Sequence, residues 1–202
     1  MSQADLTKWD SRYRDGSYSD RRHPTALLSR YIDELRRGSA LDIACGAGRN
    51  ALFLAESGFD VDAVDISAAG LERLGADAQA RGLEVRSHEA DLENGIPARL
   101  KLNNRYDLIL MTRYVNQPLV KTLVEKLADS GIFICEQHLK TKLDVVGPRS
   151  EAFRLAPHEL LDSAQALRVH YYREGIMTDP DGRKVALAQI VASRGGDDLF
   201  AV

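Results

Sequence analysis

Strand-like apolar runs and amphipathic stretches alternate along the middle of the chain. The strand-like runs from residue 40 onward are ALDIAC, DVDAVDI, LEVRSHEAD, YDLILM and GIFICEQ. The stretches between them have helical spacing and read RNALFLAES, AAGLERLGADAQAR and QPLVKTLVEKLAD. Repeated alternation of this kind predicts parallel βαβ units, and therefore an α/β fold with five strands of a doubly wound sheet.

The two ends of the chain have different patterns. Residues 1–22 are polar with isolated aromatics, and a short helix there would place Trp9 and Tyr13 on one face. The stretch TALLSRYIDELRRGS then predicts a helix that Gly38 ends. Near the other end, the short helix PHELLDSA precedes two β-rich segments joined by DPDG, whose Asp-Gly step predicts a hairpin.

A length of 202 residues is that of one ordinary domain. We expect an N-terminal helical arm over residues 1–37 and a cofactor-binding βαβ core over 38–137. The remainder, 138–202, would supply a substrate-side loop, a short helix and the hairpin.

Composition narrows the class of partner. The 27 basic and 30 acidic residues create no broad positive field, so a small molecule is expected rather than nucleic acid or an anionic membrane. No apolar stretch approaches the roughly 20 residues that span a bilayer, and the polar start has no signal-peptide core, which predicts a cytoplasmic protein. Cys45 and Cys135 are expected to be reduced core thiols. The five histidines show no zinc-ligand spacing, so no metal is predicted, and the oligomeric state stays open.

A glycine loop follows the first predicted strand. Residues 46–51, GAGRNA, fit the G-x-G-x-x-G/A fingerprint, and Asp65, which ends the next strand, fits the acidic residue that binds a ribose hydroxyl. The pattern predicts an adenosine cofactor, but it suits NAD and S-adenosylmethionine equally well. In a purely structural interpretation, the small residues only allow the helix to pack on the sheet.

Asp42 distinguishes between these cofactors. It ends the first strand, four residues before Gly46, where its carboxylate would face the crevice. A pyrophosphate at roughly 6 Å would be repelled by about 3 kcal/mol at an effective dielectric of about 20, on the order of a hundredfold in affinity. S-adenosylmethionine carries an ammonium and a sulfonium and no phosphate, so Asp42 favours it. Alternatively, Asp42 caps the backbone amides of the loop.

A third carboxylate, Asp91, follows the third strand. It is placed to meet the adenine amine, with apolar Ile66 and Leu92 sandwiching the ring. A solvated turn or a helix cap is an equally good interpretation of Asp91.

The stretch LDIACGAGRNALFLAESGFDVDAVDIS, residues 41–67, resembles motif I and the acidic loop of class I S-adenosylmethionine-dependent methyltransferases, in particular the small tellurite-resistance methyltransferase-like group. The resemblance extends from KWDSRYRDG in the arm to the terminal hairpin. It implies a mostly parallel, Rossmann-like sheet of seven strands with an antiparallel C-terminal hairpin, and S-adenosyl-L-methionine as the cofactor. One departure is Ala44, which stands where the family has its first glycine and narrows the approach to the methionine moiety.

The resemblance also implies roles for individual residues. Asp42, Gly46 and Gly48 would line the methionine part, Asp65 the ribose and Asp91 the adenine. The arm would close over the cofactor, with Arg12 either paired to the cofactor carboxylate or solvated. The complete predicted cofactor set is Trp9, Arg12, Tyr13, Asp42, Ala44, Gly46, Gly48, Asn50, Asp65, Ile66, Asp91, Leu92 and Thr112.

Methyl transfer from a sulfonium is an in-line displacement whose leaving group departs neutral, so the protein mainly positions the nucleophile and excludes water. A thiolate, selenide or telluride needs no base, whereas a hydroxyl or an ammonium must lose a proton. The segments MTRYVNQP and CEQHLK offer candidates to bind or deprotonate a substrate: Arg113, Tyr114, Asn116, Glu136 and His138. We predict Arg113, Tyr114 and His138 as the catalytic set, although for His138 an imidazole bonded to the backbone is the favoured interpretation.

The leading hypothesis is a small-molecule methyltransferase, with a soft sulfur, selenium or tellurium nucleophile as one acceptor class. The segment after the fourth strand lacks the Asp/Asn-Pro-Pro-aromatic signature of methyltransferases that act on nucleic-acid bases or protein glutamine. The alternatives are an NAD(P)-dependent oxidoreductase and a non-catalytic nucleoside-binding module. We also expect a bulky residue at Gly48 to abolish cofactor binding without unfolding the protein, because the backbone would approach the ligand there.

Overall fold

The computed structural model describes residues 3–16, 22–100 and 102–195. Its strands are β1 (Ser39–Ile43), β2 (Asp60–Asp65), β3 (Val85–Glu89), β4 (Tyr106–Thr112), β5 (Leu127–His138), β6 (Arg168–Thr178) and β7 (Lys184–Ser193). Its helices are α1 (Gln3–Arg14), α2 (Ala26–Tyr31), α3 (Arg49–Glu56), α4 (Ala68–Arg81), α5 (Gln117–Glu125) and α6 (Glu159–Ser163).

The strands form one seven-stranded sheet in the order β3-β2-β1-β4-β5-β7-β6. Strands β1 to β5 pair in parallel, whereas β7 is antiparallel to both β5 and β6. This arrangement confirms the predicted Rossmann-like sheet and its antiparallel hairpin. The hairpin turns at DPDG, where Gly182 has a φ of +82° and its N–H donates to the Asp179 carbonyl at 2.8 Å.

Two predicted helices have different limits in the structure. Residues 127–129, expected to end a helix, instead begin β5. Leu127 pairs with Tyr106 and is fully buried, so strand pairing and burial override the helical spacing. The helix predicted after Pro24 continues beyond α2 only as a 3₁₀ turn, Ile32–Glu34. Its apolar stripe is buried as expected, at Leu27, Leu28, Tyr31, Ile32 and Leu35.

Helices cover both faces of the sheet. One apolar cluster joins the sheet to α5 and α6, and a second joins it to α2, α3 and α4. Successive strand side chains point to opposite faces, so Asp42 shares a face with Ala40, in the second cluster. By the same alternation, Thr112 and Glu136 lie on that face, under α2 and α3.

Cys45 and Cys135 are free thiols; Cys135 is buried and Cys45 half-buried. Within the described ranges, none of the helices has the length and apolar character needed to cross a membrane.

Candidate active site

The loop between β1 and α3 has a left-handed backbone at three positions. The φ angles are +54° at Ala44, +59° at Gly46 and +78° at Gly48. This conformation costs glycine little but strains alanine, so Ala44 holds strain at the point where the chain departs from the family pattern.

The two glycines have different neighbours. A methyl group built on Gly46 would lie 2.3 Å from the Tyr13 hydroxyl, so the arm rests directly on this glycine. One built on Gly48 would lie 2.2 Å from Cδ1 of Leu74, a fully buried residue of α4. The structure therefore gives Gly48 a packing role, so its replacement would also destabilise the fold.

Asp42 is completely buried at the carboxyl end of β1. Neither of its carboxylate oxygens has a hydrogen-bond partner among the described residues. Burial raises the pKa of Asp42 to about 8, against the attraction of Arg49. Among the described residues Asp42 has no hydrogen bond of ordinary geometry to the loop amides, but the Ala51 N–H in the first turn of α3 is near enough to lower its pKa.

Asp65 caps the loop instead. One of its oxygens accepts the Gly46 N–H at 2.8 Å, and the other accepts the Ser67 N–H at 2.8 Å. Burial raises the pKa of Asp65, and these two N–H groups act in the opposite direction. The carboxylate thus joins the glycine loop to the end of β2.

The arm is held to the same region by Asp10, a residue that sequence reasoning missed. Its carboxylate accepts the Ser67 hydroxyl at 2.5 Å and the Ala69 N–H at 3.3 Å, at the start of α4. Asp10 lies in a polar stretch with no motif, so no local signal could have identified it.

The predicted aromatic residues of the arm lie together. Trp9 and Tyr13 stack with ring centroids 6.3 Å apart, which confirms that they share one face of α1. The Arg12 guanidinium lies 5.0 Å from the Trp9 ring centroid. With Tyr13 over Gly46, the arm covers the glycine loop.

Just beyond the ends of β2 and β3, three predicted residues differ in exposure. Asp91 is exposed, and one of its oxygens accepts the Glu93 N–H at 2.9 Å. This geometry corresponds to the solvated turn, one of the two alternatives to an adenine contact that the sequence allowed for Asp91. Leu92 is buried and Ile66 half-buried, so of these three the two apolar residues are the enclosed ones.

Asn50 and Thr112 connect the loop to the next strand. The Asn50 amide donates to the Thr112 hydroxyl at 3.1 Å and accepts the Thr25 N–H at 2.9 Å. Thr25 immediately precedes α2. Asn50 thus joins the carboxyl end of β4 and the start of α2 to the cofactor loop.

A buried charge network lies beyond Thr112. Arg113, with a strained φ of +61°, donates to both oxygens of Asp179 at 2.6 and 3.1 Å. It also donates to Glu136 at 2.9 Å, and Gln189 donates to the other oxygen of Glu136 at 2.6 Å. Sequence reasoning did not find Asp179 or Gln189 because they come from the hairpin, more than fifty residues later in the chain. Arg113 therefore clamps the hairpin tip to the sheet.

The other two predicted catalytic residues are enclosed. Burial raises the pKa of Tyr114 to about 12, so its phenol is protonated at neutral pH. His138 ends β5 and is 7% exposed. A methyl group on Gly147 would lie 2.9 Å from its Nδ1, so the following loop packs against the imidazole.

These residues fit S-adenosylmethionine. The buried Asp42 carboxyl, whose oxygens have no hydrogen-bond partner among the described residues, suits an ammonium group, which favours its ionised form. In that ionised form it would repel a pyrophosphate. The N–H groups in the first turn of α3 have no acceptor within the helix, which suits a carboxylate.

The sequence of the chain is similar to those of known methyltransferases. Residues 40–130 match the family described as Methyltransferase domain. A ubiquinone biosynthesis O-methyltransferase of Rickettsia canadensis (strain McKiel) is 26% identical over 112 residues, which cover 53% of this chain and 45% of that protein. The chain spans about half the length of the curated relatives it matches.

Solved structures show the same fold. TehB from Haemophilus influenzae superposes with a TM-score of 0.70 at 23% identity, covering 89% of this chain and 66% of that one. An S-adenosylmethionine-dependent methyltransferase from Methanosarcina mazei gives a TM-score of 0.67 at 16% identity, covering 87% and 100%. The chain therefore has the fold of class I S-adenosylmethionine-dependent methyltransferases, and its residues 40–130 match the family described as Methyltransferase domain.

Proposed function

We propose that the chain transfers the methyl group of S-adenosylmethionine to a small molecule. The observation that carries this proposal is Asp42, a fully buried carboxyl beside the left-handed loop, for whose oxygens the described residues supply no hydrogen bond of ordinary geometry. A buried carboxylate is costly unless a cation compensates it. The ammonium of S-adenosylmethionine is such a cation, whereas the pyrophosphate of NAD would add like charge.

Bound S-adenosylmethionine supplies an electrophilic methyl group and leaves as a neutral thioether, so the protein need supply no acid. The chain would bind and orient it. Asp65 holds the glycine loop against β2, and Asn50 holds the loop against β4. Tyr13 and Trp9 would exclude water from the covered side.

The acceptor is best described as a soft, already ionised nucleophile such as a thiolate, selenide or telluride. Arg113 is a permanent cation, and Tyr114 with its raised pKa holds its proton at neutral pH, so neither can accept a proton there. An oxygen acceptor is the second candidate, since the curated relatives are named O-methyltransferases. It would require His138 as the base.

Cofactor binding is the first test. S-adenosylhomocysteine should stabilise the wild-type protein and Asp129→Asn, whose exposed carboxylate lies outside the site. Asp42→Asn should bind it more weakly at pH 8. Stabilisation by NAD alone would favour the oxidoreductase, and binding of neither would contradict the proposal.

The acceptor is tested with thiophenol and phenol, which differ only in the nucleophilic atom, and with tellurite added to the panel. Release of S-adenosylhomocysteine measures turnover. We expect thiophenol to be methylated equally by wild type and His138→Asn. Turnover of phenol that falls about a hundredfold in His138→Asn would instead support the oxygen acceptor.

The remaining expectations belong to the same proposal. The net charge of −3 supports a small-molecule partner rather than nucleic acid. The two free thiols, Cys45 and Cys135, support a cytoplasmic location.

A further inference from the structure

An open cleft lies beside the cofactor loop, between α2 and the β5–β7–β6 part of the sheet. Its volume is about 410 Å³, within the range of small-molecule sites. Its apolar wall is formed by Leu27, Tyr171, Leu187 and Met177. Two buried polar residues, Glu136 and Gln189, lie at its base.

The cleft adjoins the proposed methyl donor. Thr112, Glu136, Gln189 and Arg173 are cross-strand neighbours in register across β4, β5, β7 and β6. Thr112 also accepts the hydrogen bond from Asn50, at the end of the cofactor loop. A molecule in the cleft would therefore lie next to the loop that holds the cofactor.

The charge of the cleft differs from that of the chain. Arg30, Arg173 and Lys184 surround it, and its two carboxylates, Glu136 and Asp179, both accept hydrogen bonds from Arg113. The cleft is thus positive in a chain whose net charge is −3.

Two of these cations are available to a ligand. Within the described parts of the chain, Arg30 and Arg173 form no ion pair. The Arg30 guanidinium lies over the rings of Tyr31 and Tyr171, with centroid distances of 5.2 and 5.1 Å. Stacking holds the guanidinium at the rim and leaves its N–H edge free to bind a carboxylate in two places.

We propose that this cleft is the acceptor site, and that the acceptor is a small apolar molecule carrying an oxyanion group separate from the atom that receives the methyl group. Arg30 and Arg173 bind the oxyanion, and the apolar wall binds the body of the molecule. This assignment rests on the proposed function, since the cleft is identified as an acceptor site by its place beside the cofactor loop.

Binding of small probes tests the assignment without turnover. Benzoate and phenyl phosphate carry the oxyanion on an aromatic body, and benzamide is the neutral match for benzoate. We expect benzoate to bind at least tenfold more tightly than benzamide in NMR titrations, and Arg30→Gln and Arg173→Gln each to weaken benzoate about tenfold. Arg36→Gln, at an exposed arginine away from the cleft, should bind benzoate like wild type. If phenyl phosphate binds more tightly than benzoate, the oxyanion is a phosphate; if less, a carboxylate.

S-adenosylhomocysteine is titrated in the same samples. Equal affinity for benzoate and benzamide, or benzoate binding that both arginine variants retain, would overturn the acceptor-site proposal while cofactor binding is intact. Absence of S-adenosylhomocysteine binding in the wild type would instead overturn the proposed function. Arg30→Gln and Arg173→Gln should retain their affinity for S-adenosylhomocysteine, which separates acceptor binding from misfolding.

Discussion

Proton release on cofactor binding is a direct consequence of the environment of Asp42. With a pKa of about 8 caused by burial, this carboxyl is mostly protonated in the cofactor-free protein at pH 7. An ammonium group placed beside it favours the ionised form and lowers its pKa. Binding of S-adenosylhomocysteine below pH 8 should therefore expel one proton.

The size of the effect follows from this linkage. When the bound state is ionised and the free state protonated, each pH unit below 8 weakens binding about tenfold, or about 1.4 kcal/mol. Between pH 7.5 and 5.5 the affinity for S-adenosylhomocysteine should fall by nearly a hundredfold. The sign is fixed because the free protein holds the additional proton.

Isothermal titration calorimetry in buffers of different ionisation enthalpy measures the proton directly. Wild type and the control Asp129→Asn should release close to one proton at pH 6, and Asp42→Asn should release none. The Asp42→Asn affinity should also lose its dependence on pH over this range. A wild-type affinity that stays constant from pH 5.5 to 7.5, or the same slope in Asp42→Asn, would refute the placement of the ammonium beside Asp42.

Three further predictions concern stability, measured by thermal or urea unfolding. Ala44→Gly should stabilise the protein by about 1 kcal/mol, because Ala44 adopts a left-handed φ of +54°; unchanged stability would contradict the strain. Gly48→Ala should destabilise the protein by roughly 2 kcal/mol, because the added methyl group meets Leu74. Leu74→Ala should then cost less stability in the Gly48→Ala background than in the wild type. Fully additive effects of the two substitutions would argue against the contact. Asp62→Asn should cost about 2 kcal/mol by breaking hydrogen bonds that include the one from the Tyr106 hydroxyl at 2.8 Å. Burial opposes ionisation of Asp62, but hydrogen bonds from its neighbours hold its pKa below the usual range. The contribution of Asp62 to the free energy of unfolding is therefore present at neutral pH and lost on acidification below about 4. Asp62→Asn should not show this loss.

Only some features of the candidate site could be predicted from the sequence. The glycine loop, the positions of Asp42 and Asp65 at strand ends and the hairpin at DPDG were all predicted from local patterns. In the structure the Gly46 N–H donates to Asp65, whereas the sequence had offered this capping role to Asp42. Gly48 packs against α4. Both differences depend on which neighbouring element approaches the loop, and no local pattern contains that information.

The sequence by itself determined the order of strands and helices and the cofactor loop, because hydrophobic period and turn chemistry act over a few residues. Only the tertiary structure decided the hold of Asp10 on α4, the clamp of Arg113 on Asp179 and the positive cleft beside the cofactor loop. These contacts join residues more than fifty positions apart. Their partners are selected by the packing of the sheet and its helices rather than by neighbours along the chain.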